Sequence, residues 1–157
     1  MNWSELRKHH PGLPESSDGY HQHANGGGWV ADSASVDTTA YIGDEASVCD
    51  EARVFGKARV CDVVTQTPLY IQGTCYWIGY AGGNLIASGC MTKPVNWWLE
   101  NVERCAEEHG YDDDQQREYR LHVEHIATWM RLYGYVEECE DAASHDGRPE
   151  DPHDAAR

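Results

Sequence analysis

A six-residue beat runs through the first half of this chain. Ala34, Ala40, Ala46, Ala52 and Ala58 recur at that interval, and two places after each comes Val36, Ile42, Val48, Val54 or Val60. Gly28 and Val30 hold the same phase one step earlier. A helix repeats every ~3.6 residues and a strand every ~2, so neither alone keeps this beat. Short strands joined by turns keep it, with each hexapeptide as one side of a prism. Residues 18 apart then stack: Val30 over Val48, Val36 over Val54, Ile42 over Val60. Outside, Trp29 falls beside Ser47, Ser35 beside Arg53, and Tyr41 beside Arg59, the last a cation–π pair.

The A-x-V-x-x-x pattern of about residues 28–63 resembles the hexapeptide repeat of left-handed parallel β-helices. That resemblance implies a short left-handed parallel β-helix of hexapeptide coils, and with the later residues the expected fold is mainly β with α: that β-helix, an irregular β cap and a C-terminal αα-hairpin. It also implies inward aliphatic residues and assembly as a dimer or trimer. Two coils leave open ends, which other segments or another chain must cover.

Residues 63–90 drop the beat. They read as three short strands, near 69–72, 75–80 and 84–87, broken by Gly73, Gly79, Gly82, Gly83 and Gly89. A meander closing one end of the prism is the expected result. Pro94 suits a first helical turn, and Trp98, Val102, Cys105 and Ala106 share a face that Gly110 ends. A second helix begins near residues 112–114, where carboxylates favour the positive helix end. Its apolar stripe is Tyr119, Val123, Ile126, Ala127 and Met130, and Gly134 stops it. The expected organisation is a flexible N-terminal lead (1–25), β-helix and β cap (26–91), αα-hairpin (92–136) and disordered acidic tail (137–157). Within the lead, Trp3 and Leu6 fit a short docking turn of helix.

Charge narrows the function. The 157 residues hold 12 Lys and Arg against 27 Asp and Glu, a net −15 concentrated after residue 99. That balance opposes direct binding of nucleic acid or an anionic membrane and favours a basic protein partner. No apolar run reaches the ~20 residues of a membrane span. The first residues lack a secretory apolar core, so the expectation is a cytoplasmic protein with reduced cysteines. Neither glycine cluster, 26–28 or 82–83, belongs to a phosphate-binding loop motif, so no nucleotide cofactor is expected. His122 and His125 lie near Glu118 on the second helix, and His21 and His23 precede the glycines. Neither spacing supplies a third ligand, so no metal is expected. Of Trp97 and Trp98, one is expected in the core and the other as a cover over the β layer.

The stretch NLIASGCMTKPVNWWLENVE, with the amphipathic helix after it, resembles small repeat proteins of bacteriophages and prophages. The resemblance implies an inhibitor of a host defence complex that handles nucleic acid, such as a CRISPR–Cas effector. On this reading the chain is non-enzymatic and has no catalytic residues. Its expected partner-binding acids are Glu107, Glu108, Asp112, Asp113 and Asp114, with Asp32, Asp44, Asp50 and Asp62 at the prism corners. Their charge complements a basic groove built for nucleic acid. Two alternatives stand beside it. The hexapeptide family includes acyltransferases that use acyl-CoA and a His base, but residues 28–63 contain no His. An open-ended prism also suits a structural assembly protein.

Overall fold

The computed structural model describes residues 1–137, so the expected tail, Glu137 aside, lies outside the described residues. Helix α1 (Trp3–His9) leads into β1 (Tyr20–Gln22), β2 (Trp29–Ala31), β3 (Ser35–Val36), β4 (Tyr41–Ile42), β5 (Ser47–Val48), β6 (Arg53–Val54), β7 (Arg59–Val60) and β8 (Val63–Val64). Then follow β9 (Tyr70–Gln72), β10 (Trp77–Tyr80), β11 (Leu85–Ser88), β12 (Met91–Pro94), α2 (Val95–Glu108) and α3 (Asp113–Leu132).

The 18-residue register holds over two layers. β2 runs parallel to β5, β3 to β6 and β4 to β7, which sets Val30 beside Val48, Val36 beside Val54 and Ile42 beside Val60. Val30, Ile42, Val48, Val54 and Val60 are sealed inside. Burying each such side chain stabilises the fold by roughly 1.5–3 kcal/mol. Outside, the Arg59 guanidinium lies 4.3 Å over the Tyr41 ring. The beat breaks at Asp62. β8 still pairs with β5, but Val48 now faces Val64, two residues short of the repeat. At the opposite edge β1 runs antiparallel on β2.

These pairings do not build a β-helix. The described residues form a mixed α/β fold of several small sheets, 30% helix and 24% strand, with no closed or solenoid sheet. The expected mainly β, left-handed parallel β-helix is therefore corrected. The physical reason is length: β3–β6 and β4–β7 stop at two strands each. So short a repeat cannot bury a continuous core of its own. The core is completed by other elements, and Ile78, Ile86, Val123, Ile126 and Met130 pack in one cluster with Val48 and Val54.

Residues 1–25, expected as a flexible lead, instead carry α1 and β1. Asn2 caps α1 in a reciprocal box with Glu5. Trp3 and Leu6 dock as the sequence suggested, with Leu13 and Cys49 in a second small core flanked by Tyr20 and Trp29. Polar tethers add to it: His21 Nδ1 to Asp32 (2.9 Å), His10 Nε2 to Asp62 (3.6 Å) and the Met1 amine to Asp44 (3.8 Å).

Strands β9 to β12 form an antiparallel meander in chain order, with β12 a strand the sequence did not signal. From it the chain turns directly into α2, so Pro94 is the N-cap rather than a first-turn residue. Trp98 is buried and donates Nε1–H to the Ile86 carbonyl at 2.9 Å, while Trp97 packs edge-on against it. Asp112 caps α3, accepting from Gln115 N while the Gln115 side chain accepts from Asp112 N. α3 buries the expected stripe, Tyr119, Val123, Ile126, Ala127 and Met130. It also grips the β9–β10 turn. Glu118 accepts from the Thr74 amide at 3.0 Å and from its hydroxyl, and the hydroxyl of Tyr119 donates to the Tyr76 carbonyl at 2.5 Å. A Cβ on Gly73 would meet that hydroxyl at 2.6 Å, so only glycine fits there. Among the described residues no helix is long and apolar enough to cross a membrane.

Candidate functional site at the hairpin turn

The acids singled out from the sequence fall into two sets. Asp32, Asp44 and Asp62 hold the N-terminal segment through His21, Met1 and His10. Asp50 is exposed with a φ of 53°, and its carbonyl accepts from Ser33 Oγ. The corner carboxylates thus serve chiefly as tethers. The second set, Glu107, Glu108, Asp112, Asp113 and Asp114, surrounds the turn between α2 and α3. Here too some charge is used locally. Asp112 is a cap, Asp114 pairs with Arg117, and Glu108 pairs with Arg104 at 3.2 Å. Exposed pairs of this kind contribute only about 0–1 kcal/mol each. Glu107 and Asp113 are exposed and form no ion pair among the described residues.

Beside this turn lies a pocket of about 250 Å³. Its floor is apolar: Met91, Trp98, Val102, Ala106 and Tyr119. Its rim carries Tyr76, Cys90, Cys105, His109 and Tyr111. Three elements supply most of its lining. The two-residue turn Gly89-Cys90 joins β11 to β12, and Gly89 takes the positive φ of 54° that such turns favour. The last turn of α2 contributes Cys105, and its C-cap His109 lies one helical turn further on. α3 contributes Tyr119. Apolar concavities with a few converging polar groups are the usual form of a binding site.

The polar groups have defined states. His109 Nδ1 lies 2.7 Å from the Cys105 carbonyl, which only accepts, so Nδ1 carries the proton. Burial pushes the Cys105 thiol up, and Glu108 adds to the effect, so this sulfur is held as S–H. A buried, protonated thiol is a poor nucleophile. Tyr111 is likewise held protonated, mainly by burial and then by Tyr119.

His122 and His21 each pair with a carboxylate, Glu118 at 3.1 Å and Asp32 at 2.9 Å. Among the described residues no three His, Cys, Asp or Glu side chains are gathered to hold a metal ion. Sequence reasoning missed the pocket. Its one local signal was Cys105 and His109, four residues apart at the end of a helix. The chain reversal that brings the 89–90 turn onto α2 has no sequence mark. No protein-family model, curated protein or solved structure matches the chain.

Proposed function

We propose that this chain is a non-enzymatic acidic interaction protein, and that the α2–α3 turn with its adjoining pocket meets a basic partner surface. One observation carries the reading: exposed carboxylates alternate along the turn with pocket-lining residues. Glu107 and Glu108 stand between Ala106 and His109, and Asp112 follows Tyr111. Such a surface suits a partner with an apolar anchor side chain ringed by Lys and Arg. The anchor fills the socket and supplies affinity. The charges steer encounter and reject acidic competitors. The partner class follows from the phage-type resemblance: a host protein with a basic groove for nucleic acid, such as a CRISPR–Cas effector, met in the cytoplasm.

The test uses charge reversal that spares the fold. Reversing Asp112 or Asp114 removes a helix cap or an ion pair, so Glu107→Lys with Asp113→Lys is the cleaner variant. Binding of the full chain to a purified effector complex is measured at low and high salt. The expected result is salt-sensitive binding, weakened about tenfold or more by the variant, with a melting temperature lowered by only a few °C through the Lys at the start of α3. Equal binding by the variant, or no binding to the effector, overturns the reading.

A further inference from the structure

The wall of the pocket formed by α2 and the β11–β12 turn is rich in sulfur. Cys105 Sγ lies 3.6 Å from Met91 Sδ and 3.9 Å from His109 Nδ1. Cys90 lines the same pocket from the exposed hairpin turn. Ligands sharing one metal ion at ~2.0–2.3 Å stand roughly 3.5–4 Å from one another. The thiol therefore has ligand-to-ligand spacing to both of its neighbours.

The donor types select the metal. Zinc sites are built from Cys, His, Asp and Glu, and no three of these are gathered among the described residues. Here the third donor is a thioether. Thiolate and thioether together favour monovalent copper, and imidazole is compatible with it. The apolar floor of Trp98, Val102 and Ala106 keeps bulk water away from one side of the cluster.

We infer that Cys105 and Met91, with His109 beside the thiol, form a binding site for copper(I). The chemistry balances without an oxidant or reductant. The Cys105 S–H bond breaks, its electron pair stays on sulfur and becomes the metal bond, and the proton leaves to water. Copper enters and remains as the monovalent ion. Ligation through His109 Nδ1 moves that proton to Nε2 and gives up the hydrogen bond to the Cys105 carbonyl. The imidazole is therefore the weakest ligand, and the two sulfurs in contact dominate. Because a proton is released, binding tightens as pH rises. The site needs no protein partner, though it shares a pocket wall with the proposed anchor socket.

The test is anaerobic titration of the full chain with copper(I) held by a chromogenic chelator, with copper-edge X-ray absorption to identify the ligand atoms. The wild-type chain is expected to take up one copper bound largely through sulfur. Cys61→Ser, outside the pocket, is expected to behave the same. Cys105→Ser is expected to lose uptake. Met91→Leu, which keeps side-chain volume, is expected to weaken it while leaving the melting curve unchanged. Failure of the wild-type chain to draw copper from the chelator overturns the inference. So does undiminished uptake by the Cys105→Ser variant.

Discussion

Replacing Tyr119 by Phe removes one oxygen and should loosen the joint between the helices and the meander. That hydroxyl donates to the Tyr76 carbonyl at 2.5 Å and accepts from the amides of Tyr76 at 2.5 Å and Cys75 at 3.2 Å. The Tyr119 ring itself is 3% exposed, so its packing stays when the oxygen goes. Each lost hydrogen bond costs about 0.5–1.5 kcal/mol net. Tyr76 is 54% exposed, so water replaces part of the loss. The expected sum is about 2 kcal/mol. For a chain of this size each kcal/mol shifts Tm by roughly 2–4 °C, so Tm should fall by about 4–8 °C. Urea unfolding should show a lower midpoint at unchanged slope, since the surface exposed on unfolding is the same. Hydrogen exchange should locate the loss at the amides of Cys75 and Tyr76. Tyr133→Phe is the control, because that ring is exposed and makes no side-chain hydrogen bond among the described residues. A Tyr119→Phe protein melting within about 1 °C of wild type would refute the claim that this hydroxyl joins the two halves.

Two further outcomes follow from the same packing. Val48 sits between Val30 and Val64 with no exposure, so Val48→Ala should cost about 2–3 kcal/mol in urea titration, the transfer of two methyl groups plus a cavity. A cost under 0.5 kcal/mol would mean the layers collapse freely around the gap. The second outcome concerns pH. The hydrogen bond from the Thr74 hydroxyl, then those from the Thr74 amide and His122, holds Glu118 below its ordinary value of 4.5. A depressed carboxylate binds its proton more readily in the unfolded chain, so stability is present above about pH 4.5 and is lost as pH falls through the lower, folded value. Glu118→Gln should flatten that acid limb of the stability curve. An unchanged slope below pH 4.5 would place the acid sensitivity elsewhere.

Local order was legible wherever it depends on near neighbours. The six-residue beat names the residues that stack, Val30 on Val48 and Ile42 on Val60, because period and side-chain direction are properties of a single strand and its turn. The stripe of α3 and its acidic start near residues 112–114 were legible for the same reason. So was the docking pair Trp3 and Leu6. The acids were legible as charges, but their roles were not. Asp44 and Asp62 look alike as turn residues, and only the return of the N-terminal segment makes them partners of Met1 and His10.

Architecture was decided by contacts between distant segments. The repeat is periodic enough to suggest a solenoid, yet whether it becomes one depends on what covers its ends. Here β1, the meander and two helices cover them, and the chain is mixed α/β instead. The pocket is a tertiary product in the same sense. Cys90, Cys105 and Tyr119 belong to a hairpin turn and two helices, and no local periodicity relates them. Sequence alone determined which faces are apolar and where helices begin, since those follow from propensity and spacing. Tertiary structure alone decided which faces meet, since burial rewards whichever distant segments fit together and leaves no mark at either one.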